Sequence, residues 1–273
     1  MTERPQDWVP PEVDPTHPSM ARVYDYMLGG AHNFAVDRAV ADQTEKLMPG
    51  SRQIARLNRA FLGRAVRFLV ESGVRQFLDI GSGVPTVGNV HEIAHKIAPD
   101  SRVMYVDKDP VAVAHSQLIL ADTANAGVIR ADMRDPEEII GHPRTRELLN
   151  FDEPVAVLMV FMLHWVADQD DPYSLVARYM AAMPSGSYLV VSHVTADHRE
   201  DQIGGVAKMI EGRSDTERLN YRTHSEVLRF FEGMDLVEPG LVGCGVWRPA
   251  HSGDFSDDVD FNRHVYAGVA RKP

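Results

Sequence analysis

The stretch FLDIGSGVPT, residues 77–86, decides the fold. An apolar strand is predicted over 76–80, and it runs into the turn Gly81, Ser82, Gly83 ahead of a predicted helix. Glycine lets the backbone turn sharply and approach a ligand closely, and a helix N-terminus directs N–H groups towards that ligand. This turn, with Asp79 in the strand before it, predicts a ligand site, although a glycine turn after a strand is weak evidence when taken alone.

Strands and helices alternate on the C-terminal side of this stretch. Apolar runs separated by helical patterns are typical of βαβ units and a parallel sheet. The tail holds two strands with no predicted helix between them, which indicates an antiparallel pair that closes the sheet. We therefore predict an α/β fold with a mostly parallel seven-stranded sheet. Its strands are 76–80, 102–106, 127–130, 155–161, 187–194, 236–246 and 264–270.

Acidic residues follow the second and third predicted strands. Asp107 ends the second strand, where the acid of a βαβ unit binds the ribose hydroxyls of an adenosine ligand. The neighbouring Lys108 is included in this predicted site, while helix capping is the alternative for Asp107 and the clear role of Asp109. Asp132 could accept a hydrogen bond from an adenine amine, with Met133 against the ring, or the two could form an ordinary surface turn.

The glycine turn lacks the marks of a dinucleotide or phosphate-loop site. Thr86 stands where a dinucleotide fingerprint has its third glycine, no lysine follows the turn, and no second βαβαβ half follows. The pattern resembles class I S-adenosylmethionine-dependent methyltransferases. In that resemblance, Asp79 and the 81–83 turn match the first motif, Asp107 the ribose-binding acid and Asp132 the adenine-contacting acid. It implies a Rossmann-like class I fold and S-adenosyl-L-methionine as the cofactor.

Four longer blocks resemble a narrower family. Residues 19–38, 54–69, 79–94 and 105–116 are similar to the S-adenosyl methyltransferase family common in actinomycete bacteria, and the GGAHNF segment is its specific part. The resemblance implies an enzyme but no particular methyl acceptor. A non-catalytic cofactor sensor or partner-binding module on the same fold is the alternative. An NAD-linked oxidoreductase would need a nicotinamide pocket that the sequence does not show.

The fourth and fifth predicted strands end in candidate catalytic residues. Phe161 and Met162 could pack on the adenosine or the methionine chain, or could simply finish a buried strand. His164 follows them, and His193 ends the fifth strand. Because imidazole titrates near neutral pH, either histidine could take a proton from a methyl acceptor. We take His164 as the candidate base, the alternative for both being a hydrogen bond to backbone or an ordered loop.

Residues 20–72 are predicted to form an N-terminal helical cap and first helix, between an extended arm at 1–19 and the Rossmann-like domain at 73–273. A glycine pair at 29–30 interrupts the helical pattern and suggests a turn over the cofactor mouth. Arg22 is predicted to pair with the cofactor carboxylate. The alternative is a helix–turn–helix packed on the sheet edge. The other predicted cofactor contacts in this segment are Tyr26, Asn33 and Phe34.

Composition and net charge limit the kinds of molecule that we expect the protein to bind. Lys and Arg number 28 against 39 Asp and Glu, so the formal charge is −11, which argues against a nucleic-acid partner and favours a small-molecule substrate. The single cysteine, Cys244, and the lack of a secretory signal or a membrane-length apolar stretch predict a cytoplasmic protein with no membrane partner. No histidine spacing indicates a metal. The oligomeric state is left open, and 197–220 is either a substrate-side insertion or a solvated amphipathic helix.

Overall fold

The computed structural model describes residues 10, 11, 13–85, 88–213, 217–249 and 259–273. Most of the predicted N-terminal arm, residues 1–9 and 12, lies outside the described residues, as does Thr86. In the described part of the arm, Val13 packs against a small buried cluster that includes Val84 and Val111. The arm therefore touches the segment that follows the glycine turn.

In the described ranges, the strands form one mixed sheet of eight, in the order β3-β2-β1-β4-β5-β8-β6, with β7 also paired to β8. Strands β1 to β5 are parallel, and β8 runs antiparallel to β5. The predicted α/β class and antiparallel C-terminal closure are confirmed. The strands are β1 Gln76–Ile80, β2 Arg102–Asp107, β3 Ala126–Arg130, β4 Ala156–Val160, β5 Tyr188–Val194, β6 Asp235–Leu236, β7 Val242–Gly243 and β8 Val265–Arg271.

Helices cover both faces of the sheet, which explains why its central strands are continuously apolar. Successive residues of β1 point to opposite faces, so Phe77 joins one core and Leu78 the other. Helix α3 packs in the first core and α8 in the second. The helices are α1 Met20–Met27, α2 Ala35–Leu47, α3 Ser51–Glu71, α4 Val90–Ile97, α5 Pro110–Ile119, α6 Pro136–Gly141, α7 Pro143–Leu148, α8 Pro172–Ala181, α9 Glu200–Glu211, α10 His224–Leu228 and α11 Val259–Asn262.

The predicted strand 236–246 is instead two short strands, β6 and β7, which is why the sheet has eight strands rather than seven. Pro239 and Gly240 lie between them. Proline has no N–H to donate to a sheet, and Gly240 adopts a φ of +88°, so the pair ends one strand and redirects the chain before the next. Both short strands still pair antiparallel with β8.

The predicted break in the N-terminal helix lies between α1 and α2. Asp25 is buried, and its Oδ2 accepts hydrogen bonds from the His32 backbone N–H at 3.0 Å and from Asn33 Nδ2 at 2.9 Å. A Cβ built on Gly30 would lie 1.9 Å from Asp25 Oδ1. The buried Asp25 carboxylate accepts the hydrogen bonds of the turn and occupies the space that a side chain at position 30 would need. Position 30 therefore takes glycine.

We expect Gly30→Ala to destabilise the cap, because the added methyl group collides with a carboxylate that cannot leave without losing its donors. Overpacking of this kind costs about 1–3 kcal/mol. Thermal unfolding should show a lower Tm than wild type. Gly141→Ala is the matched control, since a Cβ at that position meets no atom within 4 Å. An unchanged Tm for Gly30→Ala would show that the turn is not held by Asp25.

Candidate active site

A cavity of about 470 Å³ lies at the carboxyl ends of the parallel strands, beneath α1, α2, α3 and α9. Ligands of open α/β sheets bind at this edge. The structure brings most of the predicted site residues together here and leaves out the four from the N-terminal segment. The predicted residues that line the cavity are Asp79, Gly81, Ser82, Gly83, Asp107, Lys108, Asp132, Met133, Phe161, Met162 and His164.

Asp107 holds the glycine turn. Its Oδ2 accepts a hydrogen bond from the Gly83 N–H at 2.7 Å, and its Oδ1 accepts one from the Asp109 N–H at 2.8 Å. Burial raises the pKa of Asp107 to about 6, although both hydrogen bonds oppose that shift. Asp109, not Asp107, caps α5, because it accepts from the N–H groups of Val111 and Ala112. The two acids thus have separate roles, and Asp107 lines the cavity while it also fixes the loop.

The turn itself needs its glycines. Gly81 and Gly83 have φ values of +70° and +68°, in the left-handed region that side chains rarely adopt. A Cβ on Gly81 would also lie 2.1 Å from the sulfur of Met162. The Oγ of Ser82 is buried and has no hydrogen-bond partner among the described residues, so the turn presents a vacant polar group beside the cavity.

Arg59 and Asp79 both line the cavity, and Arg59 was not among the residues predicted from the sequence. Burial raises the pKa of Asp79 to about 7, and Arg59 opposes the shift. Arg59 comes from α3 and donates to Asn89 Oδ1 at 3.1 Å. Its Nε is buried without a partner in the part of the chain that the structure describes. The cavity therefore holds a cation with a vacant donor close to an anion, which suits an amino-acid zwitterion.

Asp132 and Met133 lie where the third strand ends. Asp132 accepts hydrogen bonds from the backbone N–H and the Nε of Arg134, both at 3.0 Å, and Arg134 lowers the pKa of Asp132. Met133 is buried against the sheet core. Lys108, one strand away, pairs with Glu217 Oε1 at 2.9 Å. This ion pair joins the end of β2 to the segment after α9, across the lip of the cavity.

Phe161 ends β4 in a strained conformation. Its φ of +61° is unusual for a residue with a large side chain, and such strain persists only where the surroundings hold it. The Phe161 N–H donates to Ser192 Oγ at 2.9 Å, and that hydroxyl donates to Asn58 Oδ1 at 2.6 Å. Asn58 Nδ2 in turn donates to the Tyr24 hydroxyl at 3.0 Å. This chain of hydrogen bonds connects the end of β4 to α1 of the cap.

The two candidate histidines differ in their surroundings. His193 is fully engaged, since its Nδ1 contacts the Val194 carbonyl at 2.7 Å and its Nε2 lies 2.9 Å from an Arg222 nitrogen. That geometry fits the alternative of a structural hydrogen-bonding residue. His164 lines the cavity, and its Nδ1 is buried with no partner among the described residues. Burial and the nearby His193 lower the pKa of His164 well below its usual value, so its ring is neutral at physiological pH.

The four predicted contacts of the N-terminal segment do not line the cavity, because other residues of the cap hold their side chains. Arg22 is buried in an ion pair with Asp37, at 2.9 Å, and so has no free guanidinium for a cofactor carboxylate. Asn33 holds the turn through Asp25. Phe34 packs under the Arg22 guanidinium and Tyr26 under that of Arg52.

A different face of the same cap covers the cavity. The side chains that line it from α1 are Met20, Val23, Tyr24 and Met27. From the predicted 197–220 insertion, α9 adds Ile203, Val206 and Ile210, all buried. The apolar stripe of α9 therefore faces the cavity, as a substrate-side insertion would.

Within the ranges that the structure describes, no group of three or more His, Cys, Asp or Glu side chains is arranged so that it could hold a metal ion. Over the same ranges, no helix combines the length and the hydropathy that crossing a bilayer requires.

Comparisons with known proteins agree with this geometry. The model of the S-adenosyl methyltransferase family matches residues 6–273. A DUF574 family protein from Streptomyces avermitilis MA-4680 is 40% identical, with a TM-score of 0.90, and the match covers 94% of this chain and 98% of that one. A Thermobifida fusca YX structure, named "putative methyltransferase", is also 40% identical, with a TM-score of 0.91 and coverage of 97% and 99%.

More distant structures share the fold alone. An O-methyltransferase family protein from Burkholderia thailandensis is 11% identical with a TM-score of 0.50, covering 84% of this chain and 62% of that one. A search of curated proteins finds no match. A family match over nearly the whole chain, on a class I methyltransferase fold, settles the assignment. The chain belongs to the S-adenosyl methyltransferase family and is an S-adenosylmethionine-dependent methyltransferase.

Proposed function

We propose that this enzyme transfers the methyl group of S-adenosylmethionine to an oxygen or nitrogen atom of a small molecule. The observation that carries the proposal is the arrangement of the cavity. One end has the acids and glycine turn of an adenosine site, the middle has the Arg59–Asp79 pair, and the other end has apolar helices around His164. A donor and an acceptor can therefore meet inside one enclosed space.

The adenosine part of the cofactor is assigned to the ends of β1, β2 and β3. Each carboxylate oxygen of Asp107 accepts one backbone hydrogen bond and retains a lone pair, so both can also accept from ribose hydroxyls. Asp132 and Met133 are placed to receive the adenine amine and ring. Ser82 Oγ, which lacks a partner among the described residues, is available to the same ligand.

The methionine part is assigned to Arg59 and Asp79 in place of Arg22. The guanidinium of Arg59 has a buried, vacant N–H for the carboxylate, and Asp79 offers its carboxylate to the ammonium group. Phe161 and Met162 border the space between this pair and the acceptor. The sulfonium would then lie near the ends of β1 and β4.

Once bound, the cofactor supplies an activated methyl group on a positively charged sulfur. The chain itself holds the acceptor in line and excludes water with apolar side chains. In that transfer the acceptor atom would bond to the methyl carbon while the C–S bond breaks, and the bonding pair would stay on sulfur. We assign to His164 a hydrogen bond that orients the acceptor, and the acceptance of its proton during transfer, because the ring lines the cavity and its Nδ1 lacks a partner among the described residues.

The test is calorimetric titration with S-adenosylmethionine, followed by incubation with methyl-labelled cofactor and a low-molecular-mass extract. Binding at one site per chain, with label recovered in small molecules, supports the proposal. Binding without transfer to any acceptor would favour a cofactor sensor instead. Failure of the cofactor to bind would refute the proposal.

We expect cofactor affinity to rise with pH, because Asp107 and Asp79 must be ionised to accept ribose and ammonium donors. Their pKa values are raised to about 6 and about 7. From about pH 5 to about pH 8, titration with S-adenosylhomocysteine should show tighter binding, approaching tenfold per pH unit for each group. Asp107→Asn should remove the increase in affinity that is centred near pH 6. A flat profile in the wild type would contradict these assignments.

The free energy of unfolding of the unliganded protein should fall as pH rises, because of the same two carboxyl groups. A carboxyl whose folded pKa is raised binds its proton more tightly in the folded state than in the unfolded state. For Asp79 and Asp107, that stabilisation is fully present below pH 3.8, the ordinary pKa of an aspartate, and is lost as pH rises towards about 7. Asp79→Asn should therefore flatten this part of the stability profile in chemical denaturation.

A further inference from the structure

The charged side chains of the cavity are confined to its cofactor half. Arg59 lies beside Asp79, and Glu217 pairs with Lys108. Apart from Arg59 and Glu217, the charged lining residues lie at or just after the ends of β1, β2 and β3, and they are Asp79, Asp107, Lys108, Asp109, Asp132 and Arg134. Among the described residues, no charged side chain lines the half of the cavity over β4 and β5.

That second half, which we call the acceptor chamber, is enclosed by apolar side chains from three separate helices. Helix α9 contributes Ile203, Val206 and Ile210, and each is at most 5% exposed. Val40 comes from α2 and Ile54 from α3, and both are buried. Burying a charge among such side chains without a partner costs several kcal/mol in free energy.

The polar groups of the chamber are already paired within the protein. Tyr24 donates its hydroxyl to the Ala55 carbonyl at 3.1 Å and accepts from Asn58. Thr44 Oγ1 donates to the Val40 carbonyl at 2.9 Å. His164 differs, since its buried Nδ1 lacks a partner among the described residues. The chamber thus offers an occupant apolar contact and one imidazole.

We infer that the acceptor chamber binds an uncharged, mainly apolar compound, such as a neutral ring system that carries a hydroxyl group. This inference rests on the proposed function, because the chamber lies next to the assigned sulfonium position. A carboxylate, phosphate or ammonium group on the acceptor would lose its hydration and find no opposite charge. A neutral hydroxyl loses much less on entering and can hydrogen-bond to His164.

The probes are two pairs of compounds with the same ring and different charge. They are 2-naphthol with 2-naphthoate, and 4-phenylphenol with biphenyl-4-carboxylate. Each is titrated calorimetrically into the full chain saturated with S-adenosylhomocysteine, so that the cofactor half is occupied. We expect at least one phenol to bind, and to bind about tenfold or more tightly than its carboxylate partner, as the cost of an unpaired buried charge requires.

Variants of α9 test whether the probe binds in the acceptor chamber. Val206→Phe fills the space and should weaken phenol binding about tenfold or more, while S-adenosylhomocysteine affinity stays within about twofold. Lys208→Phe, an exposed position on the same helix, should leave both affinities unchanged. Retained cofactor binding in Val206→Phe also shows that the variant is folded.

Two kinds of failure are distinguishable. Carboxylates that bind as tightly as phenols, phenols that do not bind, or a Val206→Phe variant with normal phenol affinity would overturn the inference while the cofactor titration stands. A wild-type protein that does not bind S-adenosylhomocysteine would overturn the proposed function, and the inference with it.

Discussion

Replacement of Arg59 by Met is expected to weaken S-adenosylhomocysteine binding more than any other single change. The variant removes the cation assigned to the cofactor carboxylate and leaves Asp79 without its nearby positive charge. Losing one partner of a buried, hydrogen-bonded charge pair costs about 2–5 kcal/mol, which corresponds to roughly thirtyfold to several-thousandfold in affinity. Isothermal calorimetry of the wild type and the variant measures the difference.

The chain offers a matched control on the same helix. Arg56 is exposed, so Arg56→Met removes the same charge from α3 without reaching the cavity, and affinity should be unchanged. Arg59→Lys should fall between wild type and Arg59→Met, because lysine keeps the charge but loses the planar donor pair. Equal binding by Arg59→Met and Arg56→Met would remove Arg59 from the cofactor site.

Asp107→Ala is expected to lower cofactor affinity about tenfold to a hundredfold. A hydrogen bond from a ribose hydroxyl to a charged carboxylate is worth about 1.5–3 kcal/mol, and the net loss of one such bond corresponds to this range of affinity. The variant also frees the N–H of Gly83, so the glycine turn loses the contact that fixes it. Calorimetric titration with S-adenosylhomocysteine gives the affinity, and adenosine alone should show a loss of similar size because the interaction is with ribose.

Folding and ligand contact can be separated for this variant. Asp122→Ala removes an exposed carboxylate just after the same βα unit and should bind the cofactor normally. A Tm of Asp107→Ala close to that of wild type, with weak binding, assigns the loss to the site itself. Unchanged affinity for both cofactor and adenosine would exclude Asp107 from ribose binding.

The parts of this site that could be predicted from the sequence are those fixed by local chain geometry. In a βαβ unit, the strand, the glycine turn and the acid that ends the next strand occupy set positions. Asp79, Gly81 and Asp107 therefore come together whatever surrounds them. The same reasoning distinguished Asp109 as a helix cap, which its two backbone contacts confirm.

The helical side of the cavity could not be predicted in the same way, because it depends on how helices dock. The prediction placed the right segment over the cavity but the wrong face of α1, so Arg22 was chosen and Tyr24 was not. Asp37 lies on the next helix and fixes that rotation by pairing with Arg22. No local sequence pattern indicates this pairing. Arg59 likewise has no sequence feature that separates it from the other arginines of α3.

The acceptor chamber is enclosed by helices that lie outside the sheet. Helix α2 contacts α1, α3 and α9, and α1 also contacts α3, whereas the cofactor contacts that we propose come from strand ends and from Arg59. Substrate preference can therefore diversify by substitutions at inward positions such as Val40 and Val206, with the donor site conserved. For enzyme engineering, a library confined to those helix faces should yield altered substrate ranges at undiminished S-adenosylmethionine affinity.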